Sequence, residues 1–287
     1  MAFGVPSSVE INLVEENFYL TEHAMISTVD NIKKQVSEGK VCVLVRIDLR
    51  NAFPSVHREK FLSKMVNIFK ISDFWLRDYF TQRMQYVELN NKKSHEIENV
   101  TGLIQGSVLG PMFFTYYIND IEQALKFSKV EIFVDDTNLV FVGEYTEKQK
   151  LTQNINVDMK SIVDWMEDNV LMLNGEKTKV IVFGTKLKIE RIGGFIISVG
   201  NSLIEDSAEI KWLGLVIQKN LKWNLHIQNM IKKCYWTINN IYKIREYFQS
   251  EALKIIMEAT VNSVIEYMIV IWGDTTKKNL KKSRKGY

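Results

Sequence analysis

Two adjacent acids, Asp135 and Asp136, lie between apolar runs in residues 131–142. Runs rich in Val, Ile and Phe on either side of a two-residue polar step predict a β-hairpin with both carboxylates at its tip, because Asp tolerates the left-handed backbone that such turns need. A third acid, Asp48, follows another strand-like run, Val41–Ile47. If these runs pair in one sheet, the three carboxylates converge.

Converging carboxylates suit a divalent cation. Mg²⁺ prefers oxygen ligands, usually one or two carboxylates together with water and substrate phosphates. Two such ions roughly 3.5 to 4 Å apart can stabilise the attacking and the leaving oxygen of an in-line phosphoryl displacement, which is the chemistry of polymerases and nucleases. An arbitrary pair of adjacent acids is more often a solvated turn, so other residues must decide between the two interpretations.

Five segments of the chain resemble, in the same order, motifs A to E of the reverse transcriptases. They are IDLRNAFPSVH (47–57), GLIQGSVLGPMFF (102–114), FVDD (133–136), LMLNGEKTK (171–179) and KWLG (211–214). Each match is weak alone, the second being the most specific, but their ordered coincidence is strong. The chain therefore resembles the reverse transcriptase of a non-LTR retrotransposon and is most similar to the jockey-type elements of animals.

The resemblance extends from about Thr21 through the regions of Trp223 and Trp272, and it departs from the family pattern in two ways. The upstream fingers strands are missing apart from a short helix at Thr21, and so is the amino-terminal endonuclease of such elements, which implies an amino-terminally truncated protein. In motif A, Pro54 stands where the family usually has Asp after Ala and Phe. Because that position is not a metal ligand, the change concerns local geometry more than metal binding.

The resemblance implies an RNA-directed DNA polymerase, in which a primer 3′-hydroxyl attacks the α-phosphate of an incoming deoxynucleotide with the help of Mg²⁺ or Mn²⁺. Asp48 and Asp135 are then the main expected metal ligands, and Asp136 belongs to the expected metal site as a third acid that tunes it. Lys177 matches the motif D lysine that can protonate the leaving pyrophosphate, although Lys179 stands two residues further on, beside a strand. An isolated lysine is more often a solvated charge.

Contacts to the substrates follow from the same resemblance. Phe53, five residues after Asp48, stands where the family keeps an aromatic ring that packs under the sugar and excludes a 2′-hydroxyl. Such a ring disfavours an RNA-dependent RNA polymerase on the same palm, which must admit the 2′-hydroxyl; the alternative is that Phe53 is a plain core residue. Gln105 and Gly106 are expected to meet the template and the nucleotide, since glycine allows close backbone approach.

Residues that hold the primer are expected towards the end of the matched region. Trp212, Leu213 and Gly214 of motif E are predicted to form a hairpin that grips the primer. The tryptophans of the helical region that follows are predicted to be core residues rather than platforms for base stacking: Trp223, Trp236 and Trp272.

The elements that must position these residues alternate between helix and strand. Apolar spacing predicts helices over 22–36, 58–69, 74–83 with Ser72 as cap, 111–125, 148–169, 225–248 and 252–270, a hairpin over 86–100 and a strand over Lys179–Phe183. This order predicts an α+β fold: a polymerase palm, with an antiparallel sheet and helices on one face, partial fingers and a helical thumb. The predicted division is a fingers remnant in 1–40, palm and fingers in 41–220, and a helical thumb-like region with a basic tail in 221–287.

The net charge of +3 hides an uneven distribution. Residues 211–287 carry 14 Lys or Arg against 5 Asp or Glu, a balance of +9, whereas the remaining residues carry 23 against 29. A basic region that follows an acidic catalytic one is typical of a protein that holds a phosphate backbone while its acids hold metal. The expected partners are an RNA template, a DNA primer and deoxynucleotides (dNTPs), although residues 277–285 could equally be a solvated tail.

Cysteine and histidine chemistry is not indicated, and neither is a membrane. Cys42 and Cys234 lie far apart in sequence, and the four histidines show no metal-ligand spacing. No apolar run reaches the ~18 residues that a membrane span needs, and the amino terminus lacks a signal-peptide pattern. We therefore expect an intracellular protein, located in the nucleus if its product is made by target-primed integration.

The alternative function is a catalytically inactive, nucleic-acid-binding remnant of a mobile element. The missing fingers strands favour this alternative, because fingers normally supply basic contacts to the template and the triphosphate, whereas the three intact acids oppose it. The template, the integration site, the oligomeric state and the need for a separate endonuclease stay open from the sequence.

Overall fold

The central strand of the sheet is the apolar run that precedes Asp48. In the computed structural model, which describes residues 21–200 and 202–273, this run forms β1 (Val41–Ile47) with six of its seven side chains buried. Each buried Val, Ile or Leu contributes about 1.5 to 3 kcal/mol relative to an exposed one. Arg46 is the charged exception in this strand.

Short strands and helices alternate along the described ranges. The strands are β1 (Val41–Ile47), β2 (Leu49–Arg50), β3 (Met84–Gln85), β4 (Glu88–Leu89), β5 (Lys92–Lys93), β6 (Ile97–Glu98), β7 (Lys129–Phe133), β8 (Asp136–Gly143), β9 (Met172–Leu173), β10 (Lys179–Phe183), β11 (Ile196–Val199), β12 (Ser202–Glu205), β13 (Glu209–Trp212) and β14 (Leu215–Gln218). The α-helices are α1 (Thr21–Ser37), α2 (Ala52–Ser55), α3 (Arg58–Asn67), α4 (Asp73–Phe80), α5 (Gly110–Ile118), α6 (Lys148–Asp168), α7 (Lys186–Ile192), α8 (Asn224–Ile244), α9 (Ser250–Met257), α10 (Ser263–Glu266) and α11 (Ile269–Trp272). Short 3₁₀ segments cover Asn119–Ala124 and Arg245–Tyr247, and a π-helical segment covers Glu258–Asn262.

One antiparallel sheet of four strands, in the order β10–β1–β8–β7, brings together the strands that border the three acids. β1 pairs with β8 so that Ile47 lies opposite Thr137 and Arg46 lies opposite Asn138. On the other edge of β8, Phe133 of β7 lies opposite Asp136. The predicted α+β fold, with an antiparallel sheet of the palm type, is confirmed.

The two faces of this sheet belong to two separate cores. Val43 and Val45 pack in the larger core together with residues of α3, α5 and α6. Cys42 and Leu44, on the opposite face, pack in the second core with residues of α1, the β13–β14 hairpin, α8 and α11. The prediction of helices on one face therefore describes the larger core, and α1 with the C-terminal elements covers the second face as well.

Most predicted elements have nearly the predicted bounds. The hairpin expected in residues 86–100 turns at Asn90 and Asn91, both at positive φ, as a two-residue type I′ turn requires. Ser72 stands at the N-cap of α4, but its side chain makes no capping hydrogen bond. The buried helix expected up to Leu125 ends as α5 at Ile118 and continues as a 3₁₀ segment.

The prediction of one continuous helix over residues 252–270 is wrong. The chain forms α9, the π segment, α10 and α11 instead, with a break at Met268, whose φ is 53°. The break places the Met268 side chain in the second core, and its N–H donates to Glu22 Oε1 of α1 at 3.2 Å. Tertiary packing thus outweighs the local helix preference.

Several features lie outside the pattern that the sequence predicted. α7 and the β11–β12 hairpin were not expected, since neither has a strong apolar period. Within the described ranges, no helix is both long and apolar enough to cross a membrane. The basic tail at residues 277–285 lies outside the described residues, and the domain boundaries near 40 and 220 stay predictions.

Candidate active site

The sequence predicts that both acids of the FVDD segment lie at the tip of their hairpin, and this prediction is wrong for Asp136. Phe133 pairs with Asp136, so the turn consists of Val134 and Asp135, and Asp136 is the first residue of β8. The left-handed residue is Val134, with φ 54°, rather than an Asp. A positive φ at the first turn position is typical of type II′, where glycine is preferred, so a β-branched residue there is strained.

Asp48 and Asp136 leave the β1–β8 ladder at the same end. Ile47 and Thr137 form the last pair of that ladder. Asp48 directly follows Ile47, and Asp136 directly precedes Thr137, so both acids lie at the end of the ladder that is nearer to the β7–β8 turn. Partial burial raises the pKa of Asp135, and the charges of Asp136 and Asp48 raise it further, while Arg46 lowers it. The carboxylate of Asp135 therefore lies close enough to Asp48 and Asp136 to be affected by their charges, in line with the predicted approach of the three acids.

Arg46 is a member of the site that the sequence prediction missed. Its guanidinium donates to Asp136 Oδ1 at 2.6 Å and also donates to the backbone carbonyl oxygen of Lys211. A lone charged residue in a buried strand, two positions before Asp48, was the available signal, because a buried charge needs a partner.

Two of the three carboxylates could serve as ligands of a hard divalent cation. Among the described residues, no three His, Cys, Asp or Glu side chains are arranged as ligands of one ion. Asp136 is engaged by Arg46, whereas the Asp48 and Asp135 carboxylates accept no hydrogen bond from another side chain in the described ranges. Mg²⁺ usually takes one or two protein carboxylates, and a cation would relieve the repulsion between them. Asp48 and Asp135 would hold it.

Phe53 lies at the contact between motifs A and B. Its ring stacks on Phe114 of α5 with the centroids 5.1 Å apart. A Cβ at Gly110 would lie 3.4 Å from the same ring. The side chain is half-buried, so one part of it packs on α5 and another part stays accessible. The packing role and the predicted sugar contact are thus compatible.

The motif B loop is held against α2 by backbone contacts. A Cβ at Gly102 would lie 2.6 Å from the Cα of Pro54, so only glycine fits beside this departure from the family pattern. The N–H of Leu103 donates to the carbonyl oxygen of Phe53 at 2.9 Å. The loop then presents Gln105 and Gly106 to solvent, and Gly106 has positive φ with open space around it.

Motif D is attached to the backbone of Asp48. The N–H of Asn174 donates to the carbonyl oxygen of Asp48 at 2.8 Å, and Thr178 Oγ1 accepts from the Asp48 N–H at 3.4 Å. Lys177 lies in the turn between Asn174 and Thr178 with an exposed side chain. The turn that carries Lys177 is thus attached to the backbone of Asp48, and the role of Lys177 in protonation stays a prediction.

Motif E forms the expected hairpin, although Trp212 does not point outwards. Leu213 and Gly214 have φ of 42° and 84°, which gives a two-residue turn between β13 and β14. Trp212 is 1% exposed in the second core, and its Nε1 has no hydrogen-bond partner among the described residues. The ring therefore anchors the hairpin, and Leu213 and Gly214 form its tip, where Tyr267 Oη donates to the Leu213 carbonyl oxygen at 2.9 Å.

The tryptophans of the helical region do not behave alike. Trp223 and Trp272 are buried in the second core, as predicted. Trp236 on α8 is 70% exposed, so the prediction of a core residue is wrong there. The apolar period of α8 exceeds what its neighbours cover, and Tyr235 and Tyr242 on the same helix are exposed as well.

Comparison with known proteins gives a consistent picture. The profile of the family described as reverse transcriptase (RNA-dependent DNA polymerase) matches residues 8–217. The chain is 22% identical over 280 residues to "Probable RNA-directed DNA polymerase from transposon BS" of Drosophila melanogaster. The aligned region covers 90% of this chain and 30% of that protein. It is also 22% identical over 258 residues to "RNA-directed DNA polymerase from mobile element jockey" of the same organism. That alignment covers 83% of this chain and 26% of the relative. The chain thus spans less than a third of the length of these relatives.

Solved telomerase structures also align with the chain. One from Candida albicans, in complex with the TWJ fragment of telomeric RNA, gives a TM-score of 0.48 at 11% identity and covers 90% of this chain and 50% of that one. The corresponding structure from Candida tropicalis gives a TM-score of 0.48 at 10% identity, with 88% and 43% covered.

Proposed function

The chain belongs to the reverse transcriptase family, and we propose that it is the RNA-directed DNA polymerase of a non-LTR retrotransposon. The observation that carries the proposal is the convergence of Asp48, Asp135 and Asp136 at one end of the central sheet, beside the contact between motifs A and B. The proposed reaction joins a dNTP to a primer 3′-hydroxyl on an RNA template. The names of the two Drosophila relatives support the choice of reaction.

Asp48 and Asp135 would bind the divalent ions, which we propose to be Mg²⁺ or Mn²⁺. When bound, such ions lower the pKa of the attacking hydroxyl and neutralise charge on the leaving pyrophosphate. The end of β1 and the turn between β7 and β8 hold the two acids at one end of the central sheet, so little reorganisation is needed when the substrates bind. Asp136 contributes as a third acid, held by Arg46.

Phe53 would decide between deoxynucleotides and ribonucleotides. The stack on Phe114 and the close approach of Gly110 fix the ring from one side, so the ring cannot retreat from a bulkier sugar. Excluding a 2′-hydroxyl by such a clash is specificity through repulsion of the wrong substrate. Gln105 and Gly106, exposed on the neighbouring loop, would meet the template and the nucleotide.

Lys177 and the β13–β14 hairpin complete the proposed site. Lys177 would donate a proton to the leaving pyrophosphate, a contribution of about 10² to 10⁴ in rate for a positioned general acid. The tip at Leu213 and Gly214 would hold the primer strand, with Trp212 as the anchor in the core. The basic C-terminal region would bind the template and primer backbones, and a nuclear location follows if the DNA copy is made at the chromosome.

Primer extension by the purified chain tests the proposal directly. We expect extension of a DNA primer on an RNA template with dNTPs and Mg²⁺ or Mn²⁺, and no extension after chelation of the metal. Asp135→Asn serves as the inactive control. If the wild-type protein binds template and primer but does not extend the primer with either Mg²⁺ or Mn²⁺, the alternative is correct and the protein is a non-catalytic nucleic-acid-binding protein.

A further inference from the structure

Arg46 joins two hairpins that lie far apart in sequence. One hydrogen bond runs from its guanidinium to Asp136 Oδ1 at 2.6 Å, in the FVDD hairpin. Another runs to the carbonyl oxygen of Lys211, 165 residues away, one residue before the end of β13. One planar group therefore ties an acid of the catalytic site to the hairpin proposed to hold the primer.

The bond to Asp136 divides the three acids into two kinds. One oxygen of Asp136 is committed to Arg46, whereas Asp48 and Asp135 have no such partner in the described ranges. The side chains of Arg46 and Asp136 are 26% and 22% exposed, so water screens this pair less than it screens a surface pair. A cation that bound Asp136 would have to displace the guanidinium or share the carboxylate with it.

We infer that Arg46 is a positioning residue, which keeps Asp136 out of the ligand set of the catalytic ions and fixes the β13–β14 hairpin relative to Asp48 and Asp135. The inference rests on the proposed function, because it concerns the same metal site. An arginine suits the task, since its rigid fork can satisfy two acceptors at once, whereas lysine offers a single ammonium.

Metal binding without nucleic acid separates this role from a purely structural one. Arg46→Gln removes a positive charge beside the acids and releases the Asp136 carboxylate. We therefore expect Mn²⁺, titrated into the metal-free protein and followed by electron paramagnetic resonance, to bind at least about threefold more tightly to R46Q than to wild type. In primer extension, the same variant should lose about 10- to 100-fold in kcat/KM for the primer, as the loss of a supporting partner typically does.

Two further variants refine the test. Arg46→Lys keeps the charge, so its Mn²⁺ affinity should stay within about twofold of wild type, while its extension should still fall because one ammonium cannot hold both acceptors. The double variant R46Q/D136N should extend no more than about twofold worse than D136N alone, since both substitutions break the same bond. Lys129→Gln, which removes an exposed ion pair with Glu131 at the edge of the same sheet, is the matched control and should change neither measurement.

The opposite directions of the two effects make the inference testable. Mn²⁺ affinity that falls together with extension in R46Q, or that does not change, would overturn the positioning role and leave Arg46 as a support of the fold. Thermal unfolding of each variant checks that it is folded. If R46Q is not folded, R46K decides between the positioning role and a support of the fold. If the wild type fails to extend any primer, the proposed function fails, while the Mn²⁺ titration still tests Arg46.

Discussion

The acidic end of the sheet and the basic helix α8 place their charges in different ways. Asp48 follows the buried strand β1, Asp135 lies in the turn after the partly buried strand β7, and burial and the neighbouring acids raise the pKa of Asp135. On α8, by contrast, Lys232 and Lys233 are exposed, and so is Trp236. Charges fixed on a rigid sheet can act on a reacting atom, whereas exposed charges on a helix act mainly by attracting a polyanion. Substitutions at the sheet should therefore change rates, and substitutions in the C-terminal region should change affinities.

Asp135→Asn should have the largest effect, because it removes a proposed metal ligand without removing volume. We expect primer extension to fall to background, with template binding nearly unchanged. The thermal stability should stay the same or rise, since one member of a repelling group of acids becomes neutral. Extension assays with Mg²⁺, gel-shift binding and thermal unfolding on the same preparation measure these three quantities.

A matched control comes from the other two-residue hairpin. Asn91 occupies the second turn position between β4 and β5, as Asp135 does between β7 and β8. Asn91→Asp makes the reverse exchange of amide and carboxylate on an exposed turn, and it should leave extension unchanged. Comparable extension by D135N and the wild type would remove Asp135 from the metal site.

Phe53→Val should have the next largest effect, on selectivity rather than on total activity. Replacing the Phe53 ring with the smaller valine side chain opens space beside Gly110 that a 2′-hydroxyl can occupy. We expect the ratio of ribonucleotide to deoxynucleotide incorporation to rise by about 10-fold or more, in the range that changes of a few atoms in a substrate pocket produce. An active variant with the wild-type preference would mean that the ring serves only to pack on Phe114.

Val134→Gly tests whether strain is stored at the catalytic turn. Glycine adopts positive φ without a steric cost, so the relief of strain should outweigh the packing that the partly buried Val134 side chain loses, and the variant should be more stable than wild type by up to about 1 kcal/mol. Asn90→Gly, at the first position of the β4–β5 turn, should change the stability by only a few tenths of a kcal/mol, since Asn tolerates that conformation. Urea unfolding of both variants compares the turns, and equal effects would show that the FVDD turn is not specially strained.

The sequence predicted the approach of these acids better than the details of their turn. Regular apolar periods and ordered motifs gave β1, β10, α6 and the approach of Asp48 to Asp135, because these features depend on local pattern. The turn position of Val134 depends on the exact register between β7 and β8, and a shift of one residue moves an acid from the tip into a strand.

Features set by tertiary contacts could not be predicted. The break at Met268 arises from packing on α1, which no local pattern encodes. The exposure of Trp236 arises because α8 has more apolar residues than neighbours to cover them in the described part of the chain. The bond from Arg46 to Lys211 requires knowing that the β13–β14 hairpin lies over the sheet.

The stability of the attachment between α8 and the sheet should depend on pH through His226. This residue is buried beside Trp223 and Trp272, and burial lowers the pKa of its imidazole below the usual 6.5. The neutral form is therefore favoured in the fold, so its contribution is present above pH 6.5 and is lost as the pH falls through the lowered pKa. His226→Asn, which does not titrate, should lose less stability than wild type between about pH 7 and 5. Parallel curves for the two proteins in urea unfolding would contradict this.

Deletion of residues 277–287 should have the smallest effect, and that effect should be on nucleic-acid affinity alone. It removes six basic residues that lie outside the described part of the chain and outside all five motifs. If they contact the template or the primer, binding should weaken at low salt, and the slope of log affinity against log salt should become shallower. Each lost phosphate contact accounts for about 0.7 on single strands and about 0.9 on B-DNA. Extension at saturating template should stay as in the full chain, because the acids are untouched.

An unchanged affinity and slope after this deletion would locate the basic contacts elsewhere. Lys232 and Lys233 are exposed on α8, and Lys243 and Arg245 lie near its end, where the guanidinium of Arg245 stacks over the Tyr242 ring at 3.7 Å. Lys232→Gln with Lys233→Gln should then produce the shallower slope that the deletion did not. If these variants lowered the extension rate at saturating template instead, the division between a sheet that sets rates and a C-terminal region that sets affinity would be wrong, since α8 would then act on the reacting end of the primer.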